Sequence, residues 1–220
     1  MSDRVEVTRI DGGMVNAYLL RSGDRFVLVD TLTVNKRGLI EGALAEAGCT
    51  ADNLALVVAT HGDPDHIGNA AYLHRVLGAP IAAHRVEAHV SETGDMRAAR
   101  PGVRGRTRLL LSAMGMVFGL PAADRYTPGV LLDDGDSLAE YGIDATVYNL
   151  TGHSDGSISV LTADGDLVCG DLMMNNKRPE PTRLVADPGA LATSIERVRT
   201  LGVRTVYPGH GRPFAMGELA

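Results

Sequence analysis

Cysteine is scarce: Cys49 and Cys169 are the only two in 220 residues, too few for a disulfide framework or a zinc ribbon. Cys169 falls in the apolar run Leu167-Val168-Cys169, the setting of a buried neutral thiol, and unpaired thiols suit a reducing compartment. Positive charge is in deficit as well. Lys and Arg number 21 against 27 Asp and Glu, a net charge of −6, and only Lys36 and Lys177 are lysines. That balance argues against a nucleic-acid partner. Long apolar runs are missing too. The longest, Leu109 to Leu120, is interrupted by Ser112, Gly115 and Gly119 and falls short of the ~18–20 residues of a membrane span, so no membrane partner is expected. The opening MSDRVEVTRIDGG has charges throughout and no apolar stretch, which predicts no export signal and a cytoplasmic location. Neither a repeat nor a low-complexity linker divides the chain. With 45% hydrophobic and 22% charged residues, it reads as one globular domain over 1–220 with ample core.

What is present is strand-rich in both halves. Val5–Ile10, Val15–Leu20 and Phe26–Asp30 are β-type runs divided by Asp11-Gly12-Gly13 and Ser22-Gly23-Asp24, an antiparallel meander. Val34–Ala47 has apolar residues near helical spacing and stops at Gly48. Leu54–Ala59 is continuously apolar, as a strand buried on both faces must be, and it ends in Thr60-His61. A helix over Ile67–Leu77 and a strand Ile81–Ala83 follow. Strands are expected again over Asp144–Leu150, Ser157–Thr162, Asp166–Cys169 and Val203–Tyr207, with a helix over Pro188–Leu201 before the last. Residues 85–130 fit neither half. Five arginines fall between Arg97 and Arg108, followed by the apolar Leu109–Leu120 with Met114, Met116 and Phe118. This segment reads as an inserted helical pair, either packed on the core or on a second copy in a homodimer, or forming a lid beside the site with an adaptable methionine wall. Its arginines are either a solvated helix face or a site for an anionic substrate.

The chemistry is concentrated in short segments at strand ends. In Thr60-His61-Gly62-Asp63-Pro64-Asp65-His66, two imidazoles and two carboxylates crowd together, which is costly unless a cation sits among them. In an extended loop His61 and Asp63 face one centre while Asp65 and His66 reach another, and Pro64 disfavours early helix. The plainer alternative makes Asp63 or Asp65 a helix N-cap. His153 lies in Thr151-Gly152-His153-Ser154-Asp155-Gly156, Asp171 follows Gly170 at an expected strand terminus, and His210 sits in Pro208-Gly209-His210-Gly211. Each repeats one pattern, a metal-ligand type in a glycine-rich turn after a strand. His74, His84 and His89 read as ordinary residues.

From the meander to the last histidine loop, the chain resembles the metallo-β-lactamase fold superfamily. Val29-Asp30-Thr31, the loop at 61–66, Gly152-His153-Ser154, Gly170-Asp171 and Pro208-Gly209-His210-Gly211 match that family's motifs in order, and Leu132–Leu138 resembles its Asp-Gly-Asp hairpin. The resemblance implies an α/β (α+β) fold, a four-layer αβ/βα sandwich of two mixed β-sheets flanked by helices, with an inserted helical segment at about 85–130. It also implies two divalent metal ions. His61, Asp63 and His153 would bind one; Asp65, His66 and His210 would bind the other, with Asp171 bridging. Asp63 stands where the commoner loop has histidine. An anionic oxygen there shifts preference from zinc toward iron or manganese. Asp30 either supports the ligands by hydrogen bonds or caps its strand end.

The activity implied is a binuclear metal-dependent hydrolase, in which water activated between the cations attacks a small-molecule ester, lactone or thioester and Asp65 serves as the catalytic carboxylate. The alternatives are a phosphodiesterase and a diiron redox protein for oxygen or nitric oxide chemistry, which would need a separate electron donor. Asn175, Asn176 and Arg178, in an expected loop at Leu172–Pro181 beside Asp171, are candidate substrate contacts.

Overall fold

The computed structural model describes residues 4–219, excluding the side chains of Thr107, Met114, Met116, Val117 and Phe118. The expected methionine wall therefore lies outside the described residues. The first sheet has six strands in sequence order: β1 (Glu6–Asp11), β2 (Asn16–Ser22), β3 (Arg25–Val29), β4 (Leu54–Val58), β5 (Ile81–Ala83) and β6 (Val130–Leu131). β1 to β3 form the antiparallel meander, and β3 to β6 run parallel. Parallel neighbours need crossovers. These are supplied by α1 (Arg37–Glu46), by α2 (Pro64–Ile67) with α3 (Ala70–Leu77), and by α4 (Arg85–Thr93) with α5 (Gly105–Phe118).

The second sheet takes β7 (Ala145–Asn149), β8 (Ile158–Thr162), β9 (Asp166–Asn175), β10 (Glu180–Pro181), β11 (Thr205–Gly211) and β12 (Phe214–Ala215). Its order is β12-β11-β9-β8-β7, with β10 against β9. β9 and β11 are parallel, joined by α6 (Pro188–Thr200).

Period-two alternation builds the layers. Tyr18, Leu20, Val27, Val29, Leu56 and Val58 point from the first sheet to Val147, Ile158, Val160 and Val168 of the second, forming the inner core. The intervening Leu19, Phe26, Leu28 and Val57 point outward against Ile40 and Leu44 of α1 and Leu73 of α3. On the other side Leu167 and Cys169 meet Leu191, Ile195 and Val198 of α6. The result is the four-layer αβ/βα sandwich. Among the described residues no helix is long and apolar enough to cross a membrane.

Several local expectations are corrected. Pro64 does not delay the helix; it occupies the first turn of α2, where its missing N–H has no partner to lose. Asp63 stands at the N-cap position of that turn, but its side chain makes no capping hydrogen bond. Asp171 is not at a strand terminus but inside the ten-residue β9, and His210 lies within β11 rather than past it. Pairing between β9 and β11 continues through their glycines by register shifts at Tyr207/Pro208 and Pro208/His210, irregularities that aim side chains out of the ladder. Leu172–Asn175 likewise belong to β9, and Leu172 and Met173 are buried against α6. In the segment between β5 and β6, Leu111 packs with Met96, Val103, Leu184 and Ala186, while Leu109 and Leu110 face outward.

Candidate metal centre

The site forms where the strand ends of both sheets meet. β3 delivers Asp30 and β4 delivers Thr60-His61; α2 carries Asp65 and His66, with Asp63 extended just before it. From the second sheet come His153 in the β7–β8 loop, Asp171 in β9 and His210 in β11. The two sheets are fastened here by β2. Tyr18 Oη and Asn16 Nδ2 donate to the Pro208 carbonyl at 2.7 and 2.9 Å, and Asn16 reaches the Gly211 carbonyl at 2.8 Å.

Each of the four histidines has its Nδ1 held, so that Nε2 faces the centre. His66 Nδ1 lies 2.7 Å from Asp30, His61 Nδ1 lies 3.0 Å from Thr60 Oγ1, and the nitrogens of His153 and His210 donate to the carbonyls of Leu184 and Met14 at 2.8 and 2.6 Å. Asp30 also accepts from the Thr60 amide and hydroxyl. It has φ +62°, a left-handed conformation that aspartate tolerates better than most residues.

Ligand atoms of three sets lie within 4.8 Å of one another: His61, Asp63 and His153; His61, His66 and Asp171; Asp65, His66 and His210. These His and Asp clusters suggest a binuclear metal site. A metal fits the region around His66 and Asp171, because His61 Nε2, His66 Nε2 and Asp171 Oδ1 are buried without a hydrogen-bond partner, a costly condition unless a cation completes it. Asp171 lies 3.3 Å from His66 Nε2 and 3.2 Å from His210 Nε2, and Asp65 lies 3.6 Å from His210 Nε2. Gly209 keeps this space open: a Cβ there would overlap Asp171 Oδ1 and His66 Cε1.

The charge pattern fits a cation as well. Burial would lower the basicity of His66, but Asp171, Asp30 and Asp65 together raise its pKa well above the usual histidine value. Burial opposes protonation of His210 too, yet Asp171 lifts it to about 9. Asp171, which burial alone would push up, is held well below the carboxylate range by His66 and His210.

The Asp63 side differs. Its oxygens accept from Arg100 Nη1 and Nη2 at 2.8 Å each, and Nη2 also donates to His153 Nε2 at 2.7 Å. Against the effect of burial, the guanidinium keeps the Asp63 carboxyl well below its ordinary pKa. Both oxygens of Asp63, which also belongs to the set with His61 and His153, are thus engaged by one guanidinium.

Sequence reasoning missed two groups. Arg100 is one of five clustered arginines, expected as solvated or substrate-facing, yet it is only 2% exposed. Glu87 of α4 is buried and accepts from the Gly62 amide at 2.8 Å and the Ser154 hydroxyl at 2.6 Å, fixing the loops that carry His61 and His153. The residue before Pro101 and a carboxylate on an otherwise ordinary helix give no local sign of either role. Of the candidate substrate contacts, Asn175 ends β9 and donates to the Arg212 carbonyl.

The chain belongs to the metallo-β-lactamase superfamily, whose family model matches residues 10–210. It is 28% identical to the bovine (Bos taurus) acyl-coenzyme A thioesterase MBLAC2, over 94% of this chain and 77% of that protein. It is also 28% identical to hydroxyacylglutathione hydrolase of Anaeromyxobacter dehalogenans, over 88% of this chain and 60% of that one. Among solved structures, the B3 metallo-β-lactamase BLEG-1 superposes with a TM-score of 0.77 at 22% identity, covering 97% of this chain and 95% of that one. The di-iron-bound form of TTHA1623 gives 0.73 at 25%, covering 96% and 95%.

Proposed function

We propose that the protein is a metal-dependent hydrolase of a small acyl thioester, with esters and lactones as the adjacent substrate chemistries. The observation that carries this reading is the convergence of three buried, unpartnered ligand atoms on His61, His66 and Asp171 beside the more open Asp65. The relatives support the thioester: acyl-coenzyme A and hydroxyacylglutathione both present a carbonyl bonded to sulfur.

His66, Asp171, His210 and Asp65 would hold the metal, with His61 beside them. When bound, it supplies Lewis acidity, polarising a carbonyl and bringing the pKa of a water ligand to about 7. The chain's own groups do the rest. Asp65, with 38% of its side chain exposed, is the carboxylate of this set most open to an arriving substrate and accepts the proton from the attacking water. Asp171 is confined between His66 and His210, so it serves as a fixed ligand. Asp30 orients His66 through Nδ1.

The test is a panel of acyl-coenzyme A, acylglutathione, aryl ester, lactone and phosphodiester substrates with metal-loaded protein. Thioester turnover abolished by a chelator and restored by metal is expected. Turnover of phosphodiesters alone, or oxygen consumption with a reduced flavin donor and no hydrolysis, would replace this reading with one of its two rivals.

A further inference from the structure

Arg100 contributes all five of its guanidinium N–H groups to fixed partners. Nε donates to the His153 carbonyl at 3.0 Å. Nη1 donates to Asp63 Oδ1 and to the Met96 carbonyl, both at 2.8 Å. Nη2 donates to Asp63 Oδ2 at 2.8 Å and to His153 Nε2 at 2.7 Å. An arginine has five such donors, so none is left for a substrate. The side chain is a built-in charge, held in place by the loop before α5.

Two of the atoms it engages are those that a metal would need on this side. The His153 ring, whose Nδ1 donates to the Leu184 carbonyl, has one lone pair at Nε2, and Nη2 occupies it, so a metal could bond that atom only by displacing the guanidinium. The guanidinium stays protonated at any working pH, so it also repels a second cation. Expelling it would break five hydrogen bonds and strand a buried charge. The contrast across the site is sharp. His61, His66 and Asp171 have ligand atoms without hydrogen-bond partners, whereas the inward-facing atoms of Asp63 and His153 are all bonded.

We propose that Arg100 takes the place of one metal ion, so that the centre is mononuclear. A single metal sits among His66, Asp171, His210 and Asp65 with His61 beside it, and Asp63 and His153 bind the guanidinium instead. This rests on the metal-dependent reading above, while its tests count metal and do not depend on turnover.

Protein stripped of metal is equilibrated separately with excess zinc and manganese, freed of unbound ion and analysed for metal per chain. About one ion per chain is expected for each, and the manganese form should give the electron paramagnetic resonance spectrum of an isolated ion. His210→Ala should lose most of the bound metal, whereas His153→Ala should keep it. Arg100→Ala should raise the count toward two. Should Arg100→Ala not fold, the wild-type count and the contrast between His210→Ala and His153→Ala still decide. Two ions per wild-type chain with a spin-coupled manganese spectrum, metal lost from His153→Ala but kept in His210→Ala, or a folded Arg100→Ala that still takes one ion would each overturn the proposal. A count of zero would instead overturn the metal-dependent reading itself, and one ion per chain without hydrolysis would remove the activity while leaving the mononuclear centre intact.

Discussion

Arg100 and Asp63 face each other across 37 residues of sequence in a two-pronged ion pair, each carboxylate oxygen 2.8 Å from its own guanidinium nitrogen. Both are nearly closed to solvent. Such a pair adds little or no net stability over a well-packed apolar substitute, because the cost of desolvating two charges matches or exceeds their attraction. Its value is in fixing geometry: one guanidinium ties the segment between α4 and α5 to the loop before α2 and to His153.

Breaking one side of that pair should therefore be costly, because the other side is left buried and unpaired. Arg100→Ala is expected to destabilise the protein by about 3–5 kcal/mol, the range for stranding a buried partner. Arg100→Ala combined with Asp63→Ala should lose less than the sum of the two single changes, with a favourable interaction on the order of 1–3 kcal/mol. Urea unfolding of all four proteins measures this, and additive losses would show that the two groups are energetically independent.

Asp65 and Asp30 should separate in kind. Asp30→Asn keeps a residue suited to φ +62° but replaces the carboxylate facing His66 Nδ1, and should cost about 10–100-fold in metal affinity or activity. Asp65→Asn removes both a ligand and a proton acceptor, so its loss in kcat should exceed that range. Paired metal titrations and kinetics check it; equal losses with equal metal content would refute the division of roles.

Gly209→Ala tests the open space beside the ligands. The added Cβ would press on Asp171 Oδ1 and His66 Cε1, and β11 is held from behind by Tyr18 and Asn16, so the strand has little room to retreat. Metal affinity should fall while circular dichroism stays that of the folded protein. Undiminished affinity would mean that the ligands move aside at little cost.

The strands and the ligand-bearing turns were legible because both are local signals: alternation of apolar residues for the sheets, and imidazole or carboxylate beside glycine for the site. The reach of β9 and β11 past their apolar runs was not. Gly170, Asp171, Gly209 and His210 have no strand propensity of their own, and only parallel pairing between the two strands holds them extended. Arg100 was illegible for a different reason. Nothing near it in sequence distinguishes it from Arg104, Arg106 or Arg108, which are exposed; its role is set by Asp63 and His153, brought together only in the folded chain.

The buried thiols give the protein a defined response to alkali. Burial pushes Cys169 up to about 12, with Asp171 adding to it, and pushes Cys49 up to about 11. In the unfolded chain a thiol titrates near 8.5. Below that pH both states keep their thiol protons, and the thiols contribute no pH dependence. Above it the unfolded chain releases protons that the folded chain retains, so stability falls progressively until the pH passes about 11 for Cys49 and about 12 for Cys169. Burial raises Tyr18 in the same direction, so its loss follows at higher pH. At pH 8 the folded thiols are almost wholly protonated, and a disulfide reagent, which only a thiolate attacks, should label neither at an appreciable rate until urea is added. The melting temperature of metal-stripped protein should be level with respect to these groups from about pH 7 to 8.5 and then decline, with Cys49 labelled before Cys169 as it does. Rapid labelling of Cys169 in folded protein at pH 8 would show that the face of β9 behind Asp171 is open, contrary to its packing against α6.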